Sequence, residues 1–423
     1  MLRRNKIAPK EPAMNPDASP ARIPWALIAT ASAILLITMG ARQTIGLFIA
    51  PLDSATGLGI VSISLAVAIG QFVWGLAQPV FGAFADRFGP GRVIAFGGIM
   101  LAAGTAMTPF VHSEWALITT LGFVSAFGAG AGSLSILIGS VMQRLPGERR
   151  SFAAGVINAG GSLGQFVFAP VVQGAILAIG WAGAMIGVAG ATLLTLPLAL
   201  LMRRRKEAPA TSAMTQSAEP GLSLGQQLKA AAGERSYWWL HLGFFTCGFH
   251  VAFLVTHLPG EVRLCGLSPT IGANSLAIIG LANVAGSLGS GWLGTRFRLK
   301  HLLFWIYLGR AASVLGFMMA PKTAATFYIF ALALGVTWLA TLPPTAGIVG
   351  KLFGVKYLAT LIGLTLMTHQ IGAFYGAWLG GLAVAHFGDY TWMWYTDAAL
   401  AAFAALINLP IREAPVVRVP VAA

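Results

Sequence analysis

Gly82-Ala83-Phe84-Ala85-Asp86-Arg87 closes one apolar stretch of this chain, and Gly291-Trp292-Leu293-Gly294-Thr295-Arg296 closes another 209 positions later. Outward from these two hexamers the same spacing recurs. Gly155, Gly164 and Phe166 are matched by Gly363, Gly372 and Phe374, and Gly40, Arg42 and Pro51 by Gly248, His250 and Pro259, each 208 positions on. One such match means little in a chain with 52 glycines. Motif, spacing and order agreeing along the whole length indicate two halves that repeat each other.

The repeated units are apolar runs. Of 423 residues, 57% are hydrophobic and 9% charged, which places the chain outside the range of soluble domains. Runs of about 20 residues, long enough to cross a hydrocarbon core about 30 Å thick, lie near 25–50, 60–85, 93–111, 115–142, 152–179 and 181–202. A second set lies near 237–259, 271–295, 301–319, 323–350, 357–385 and 391–409. The expected fold is an all-α membrane protein of twelve transmembrane helices. Its expected divisions are a disordered tail (1–24), a six-helix bundle (25–202), a polar linker (203–236), a second six-helix bundle (237–410) and a short tail (411–423).

The net charge of +14 would suggest nucleic acid in a soluble protein, but the basic residues are distributed otherwise. Arg3, Arg4, Lys6, Lys10 and Arg22 precede the first run. Arg87 and Arg92, Arg144, Arg149 and Arg150, Arg203 to Lys206, Arg296 and Arg298, Lys351 and Lys356, and Arg412 and Arg418 fall at every second break. The intervening breaks hold Arg263 and Lys322 beside the acids Asp53, Glu114, Glu261 and Asp389. This is the positive-inside asymmetry. It excludes a nucleic-acid partner and predicts a multi-pass bacterial inner-membrane protein with both termini in the cytoplasm. The stretch before Trp25 is polar, rich in proline and without a small-residue cleavage site, so a tail is expected there rather than a signal peptide. Cys247 and Cys265 form neither a disulfide framework nor a zinc ligand set, and no metal or cofactor is expected.

Gly82 to Arg92, on a cytoplasmic break after the second run, resembles the signature loop of the major facilitator superfamily. Gly40-Ala41-Arg42-Gln43, Gly248-Phe249-His250, Thr256-His257-Leu258-Pro259 and His369-Gln370-Ile371-Gly372 look like the bacterial monocarboxylate-porter-like branch of that superfamily. The resemblance covers all twelve runs. It implies two bundles flanking a central cavity that opens alternately to each side, hence a secondary active transporter of a small organic anion in the lipid bilayer; lactate-like proton symport is not carried over from the resemblance, and protons are a candidate coupling ion through the histidines alone. The chain is expected to act as a monomer. It also departs from the family: the acid and arginine that animal monocarboxylate carriers place four apart in the eighth span correspond to Asn283 and Ser287, and Thr295 replaces the acid of the second signature loop.

An arginine well inside a span costs several kcal/mol unless it faces protein, water or an anion. Arg42 is therefore the first substrate candidate, since a guanidinium grips a carboxylate by two parallel hydrogen bonds. His250 occupies the matching place in the second half and is expected at the same cavity, as substrate ligand and proton-coupling group. His369, Gln370 and Asn158 complete the candidate substrate set, each of them otherwise a hydrogen bond between helices. His257 reads either as a proton-coupling gate or as a polar rim. Asp397, an intramembrane carboxyl group, is a further proton-coupling candidate. Arg310, on a helix expected at the periphery, reads as structural. Gly82, Asp86, Arg87, Arg92 and Arg296 form a candidate conformational latch at helix ends.

Scarcity of acids favours anions over cations. A broad-specificity drug or metabolite exporter is the competing transporter reading, with Trp74, Trp338 and Tyr375 as its cavity aromatics. An enzyme is not expected, because no nucleophile-base pair or metal cluster stands near either face.

Overall fold

The computed structural model describes residues 25–142, 147–202, 223–354 and 357–416, and within them all regular structure is helical. The first span, Trp25–Gln43, is continued by Gly46–Thr56; the second is Ile60–Phe88, the third Pro90–Met107 and the fourth Glu114–Val141. The fifth and sixth share Gly147–Leu193, and Thr195–Leu201 extends the sixth. They part at Gly180, whose φ of 78° and ψ of 164° lie outside any helix and suit a residue without a Cβ. The seventh to ninth are Arg235–Leu264, Pro269–Leu293 and Leu299–Met319. The tenth is broken into Ala324–Thr337 and Leu342–Phe353, and Leu358–Phe387 and Thr391–Asn408 are the eleventh and twelfth. Nine stretches among the described residues qualify as spans by length and composition, one of them the pair joined at Gly180. The last two helices complete the expected twelve.

These helices carry no polar face because both sides of a transmembrane helix are apolar: lipid on one, neighbouring helices on the other. Side chains such as Trp115, Leu177 and Trp305 point outward and are exposed. On a soluble protein they would form an unsustainable apolar surface, whereas here they meet hydrocarbon.

The repeat read in the sequence is also a repeat of packing. Gly40 and Gly164 bring the first and fifth spans together, with Gly164 against the Leu36 carbonyl; Gly248 and Gly372 do the same for the seventh and eleventh, with Gly372 against the Phe245 carbonyl. A Cβ at Gly164, Gly248 or Gly372 would collide with backbone and one at Gly40 with the Phe168 ring, so small residues set the helix spacing.

With twelve crossings, the start of the first span and the end of the twelfth lie on one side. The Lys300 N–H donates to Glu413 Oε1 (2.9 Å), Lys351 pairs with Glu413 (2.8 Å), and the Arg412 N–H donates to Ser236 Oγ (3.1 Å). The starts of the seventh and ninth spans and the ends of the tenth and twelfth therefore meet there. One element was not read from the sequence. Inside the expected linker, Leu224–Gly233 is a helix opened by a capping box between Ser223 and Gln226. It docks through Gln227, whose amide donates to the Phe353 carbonyl at 3.1 Å. The rest of the expected linker up to 222, and the tail 1–24, lie outside the described residues.

The halves meet along two symmetric seams, the second span against the eleventh and the fifth against the eighth. On the side away from the termini they are closed: Gly46 packs on the Val255 and Thr256 carbonyls, and Gly381 on Ser64. On the terminal side Gly155, Gly289 and Gly363 have open space where a Cβ would stand. The two halves are therefore splayed toward the terminal side.

Candidate functional site

Arg42 ends the first helix where the chain turns before Gly46–Thr56. Its guanidinium donates to Gln71 Oε1 at 2.6 Å and lies 4.2 Å over the Trp74 ring. Gln71 and Trp74 stand three apart on the second span and so share one helix face. Stacking on an indole favours a planar cation, and the amide oxygen orients it. Neither neutralises it: among the described residues the only ion pairs are His250 with Asp397 and Lys351 with Glu413. The Trp74 indole N–H is buried without an acceptor, a second donor beside an uncompensated cation. Chemically, two donors and an uncompensated positive charge at one place can hold an anion. Arg42 and Gln71 also line a largely apolar cavity within the first half, between the first, second, third, fourth and sixth spans.

Gln370 reaches this neighbourhood from the other half. Its side chain fills the space over Gly75, next to Trp74, and its amide donates to His369 Nδ1 at 3.3 Å. Gln370 Oε1 has no donor, and His369 is half-buried. Gln370 therefore stands at the seam of the second and eleventh spans, while the His369 ring faces the seventh span, 6.0 Å from Phe244.

His250 does not join them. It is fully buried, does not line the Arg42 cavity, and its Nδ1 stands 2.6 Å from Asp397 Oδ2 on the twelfth span. A side chain at an equivalent sequence position is here packed on its own carboxylate partner in the second bundle. His257 also differs from the polar rim expected of it. It is 1% exposed; its Nε2–H donates to the Ala377 carbonyl (2.7 Å) and its Nδ1 accepts from the Tyr390 hydroxyl (3.2 Å), which ties the seventh span to the eleventh and twelfth.

Asn158 lines a second cavity with Ser162, Ser287 and Pro343, toward the terminal side. The fifth span runs beside the first with Gly160 at Ser32. Asn158 therefore sits at least ten residues below Arg42, or about 15 Å along the axis at about 1.5 Å per residue. One small carboxylate cannot touch both.

Asn283, standing where the carriers have an acid, links three elements. Its amide donates to Ser162 Oγ across the seam (2.9 Å), and its Oδ1 accepts from Ser287 Oγ (3.1 Å) and from the Leu339 N–H (3.0 Å). Leu339 lies in the break of the tenth span, whose carbonyls from Thr337 to Ala340 are also taken. Arg310 donates to the Thr337 and Trp338 carbonyls (2.6 and 2.8 Å), and Ser290 to the Ala340 carbonyl (2.5 Å). Non-helical backbone at membrane depth persists only when satisfied in this way. Trp338, expected as a cavity aromatic, is instead fully buried here. The Pro343-Pro344 pair marked this break in the sequence; nothing local marked its caps.

Among the described residues the expected latch side chains form no ion pair. Arg87 lies over Phe88 at 5.3 Å and Arg296 over Trp292 at 4.2 Å, each on its own helix, while Arg92 is exposed. The Asp86 side chain lies outside the described set. Gly82 has open space around it, in keeping with halves parted on this side.

The family model of the Major Facilitator Superfamily matches residues 31–377 and 266–422. Monocarboxylate transporter 13 of Rattus norvegicus is 24% identical over 392 residues, covering 91% of this chain and 89% of its own. The oxalate:formate antiporter of Oxalobacter formigenes is 24% identical over 392 residues, covering 90% and 89%. Among solved structures, a D-xylose-proton symporter superposes with a TM-score of 0.69 at 15% identity, covering 93% of this chain and 99% of its own. An inward-facing bacterial homologue of the human lysosomal transporter Spinster does so at 0.68 and 16%, covering 92% and 94%. Twelve membrane-crossing helices in two repeated halves, splayed about a central seam, and a family match that runs through both halves agree: this chain belongs to the Major Facilitator Superfamily, a family of multi-pass membrane transporters.

Proposed function

We propose that this protein carries a small organic anion, a monocarboxylate or related carboxylate, across a bacterial inner membrane by alternating access, coupled to protons and acting as a monomer. The observation that carries the reading is Arg42: a guanidinium at membrane depth, aligned by Gln71 and Trp74 and neutralised by no acid. An anion supplies the missing charge and accepts two parallel hydrogen bonds. Gln370 approaches the second span from the opposite half, so closure of the seam around a bound anion engages both halves. The names of the two relatives above support a carboxylate. The placement of basic residues supports cytoplasmic termini, so the splayed side is the cytoplasmic one. His250 and Asp397, buried and sharing one contact, are the proton-carrying pair of this reading, and the second bundle is its home.

The test is a thermal-shift screen of the purified protein against mono- and dicarboxylates, neutral sugars and cationic drugs, repeated with Arg42→Ala. Stabilisation by a carboxylate that disappears in the variant is expected. Stabilisation by cationic or neutral lipophilic compounds alone would replace this reading with the broad-specificity exporter.

A further inference from the structure

The seventh and twelfth spans face each other along one stripe of each. On the seventh, His250, Phe253, His257 and Glu261 follow at steps of three and four and share a helix face; Asp397, Trp394 and Tyr390 do the same in the opposite direction on the twelfth and the residue before it. The structure pairs them rung by rung. His250 Nδ1 meets Asp397 Oδ2, the Phe253 ring meets the Trp394 ring edge-on with centroids 4.9 Å apart, and His257 Nδ1 accepts from the Tyr390 hydroxyl at 3.2 Å. Glu261 stands one turn beyond His257, at the end of the seventh span away from the termini.

Two glycines make the sockets for the polar groups. A Cβ at Gly260 would strike the Tyr390 hydroxyl, and one at Gly380 the His257 ring. The hydroxyl therefore sits over the residue next to Glu261, whose charge bears on it together with that of Arg263. Glu261 is 8% exposed and forms no ion pair among the described residues. Its neighbours are the Cys265 thiol, 3.8 Å from Oε1, and the charges of Lys322 and Asp389 on the loops before the tenth and twelfth spans. The Lys322 ammonium is itself held by the Phe317 carbonyl at 2.6 Å. A carboxyl at the edge of water, with no fixed partner, can take up and release a proton.

The His257 ring has room for one more proton. Its Nε2–H is engaged with the Ala377 carbonyl, so Nδ1 carries the lone pair that faces Tyr390. A proton leaving the Glu261 carboxyl for the Tyr390 oxygen lets the phenolic hydrogen pass to His257 Nδ1; the hydroxyl is restored and the imidazole becomes imidazolium. Two turns deeper, His250 Nε2 is buried without a partner. It is the open end of the pair whose other side is Asp397, with Arg310 the remaining charge that bears on it. Between the two histidines lies the Phe253–Trp394 rung, apolar and buried. The halves are closed on this side and splayed on the other, the state in which a proton held deep in the bundle has to be isolated from the closed side.

We propose that the stripe between the seventh and twelfth spans is a proton-access path to the His250–Asp397 pair, separate from the substrate seam, with Glu261 as its outer acceptor, Tyr390 and His257 as carriers and the Phe253–Trp394 rung as its gate. The inference rests on the reading of His250 and Asp397 as the proton-carrying pair. When the rung parts, water admitted there carries the His257 Nδ1 proton over the remaining distance, about 10 Å along the helix, to His250 Nε2. A neutral imidazole beside a carboxylate then becomes an ion pair, and His257 is neutral again.

The experiment needs no substrate. The full chain is reconstituted in vesicles loaded with a pH-sensitive dye, and proton entry is driven by a potassium diffusion potential. Wild type is expected to leak no faster than empty vesicles, and Phe253→Ala about tenfold faster; Trp394→Leu opens the same rung should Phe253→Ala fold poorly. Adding Glu261→Gln or Tyr390→Phe to the leaking variant returns the rate to that of wild type, as does Asp397→Asn. Merely structural roles for Glu261 and Tyr390 would leave the leak in place. A leak that survives Glu261→Gln and Tyr390→Phe but not Asp397→Asn overturns the path and leaves the proton pair standing, and one that survives all three removes both. No leak from a folded Phe253→Ala or Trp394→Leu overturns the gate and the path with it.

Discussion

Asp397 Oδ2 stands 2.6 Å from His250 Nδ1, with both side chains at zero exposure, while Asp397 Oδ1 and His250 Nε2 have no partner. The pair joins the twelfth span to the seventh at a depth where an unpaired charge costs several kcal/mol. One proton shared between imidazole and carboxyl leaves the pair either neutral or as an ion pair, and adding or removing a proton changes its net charge inside the bundle. Burial makes the pair sensitive to conformation, since any rearrangement that admits water alters the cost of that charge.

Asp397→Asn removes the carboxyl while keeping a side chain of the same size. We expect uptake by this variant in proteoliposomes to lose its dependence on a pH gradient, with exchange of internal for external substrate retained. A pH-gradient response equal to that of wild type would place the proton elsewhere.

Trp74→Leu removes the ring beneath the Arg42 guanidinium and the unpartnered indole N–H together. A cation–π contact is worth about 0.5–2 kcal/mol, so carboxylate binding measured by calorimetry should weaken by about 2- to 30-fold. The unliganded melting temperature should move little. Unchanged affinity would show that Trp74 only fills space.

Arg310 and Arg42 are both intramembrane arginines, and their acceptors separate their roles. Arg310 donates to two carbonyls of the broken tenth span. In Arg310→Met these carbonyls lose their donor, at about 1–3 kcal/mol each, offset in part by removal of a buried charge. The melting temperature of Arg310→Met should fall well below wild type, while Arg42→Ala should melt close to wild type without ligand. Equal melting of the two variants would contradict this division.

Glu413 binds the terminal-side ends of the ninth, tenth and twelfth spans together. Partial burial raises its carboxyl, but the Lys300 N–H and the Lys351 and Lys300 ammonium groups outweigh that and hold it below the usual carboxylate range. A depressed folded-state value stabilises the protein above the unfolded-state range, and that contribution is lost as pH falls through the folded value. The pair with Lys351 is half-exposed, so solvent screening limits it to about 1 kcal/mol or less. Lys351→Ala should lower stability at neutral pH by no more than that, with the difference from wild type vanishing in acid. A difference that grew in acid would reverse the sign argued here.

Fold and topology were legible from the chain alone because lipid imposes a simple code. A span must be apolar and about 20 residues long, and basic residues stay on one side. The offset of 208 between Gly40 and Gly248 exposed the duplication because close helix packing tolerates no Cβ at either place. Arg42 was legible too, since charge at membrane depth is rare enough to be informative by itself. Neutral hydrogen-bonding partners were not. Gln71 as the acceptor of Arg42 and Asn283 as the tie between seam and broken helix depend on which helices lie adjacent. Symmetry of sequence did not extend to symmetry of side-chain direction: Arg42 lines the cavity of the first half, while its counterpart His250 turns to Asp397, 147 residues away. Hydrocarbon dictates composition one residue at a time, so a sequence displays it. A hydrogen bond needs two atoms within about 3 Å in the right direction, and only the tertiary packing of the spans decides which two those are.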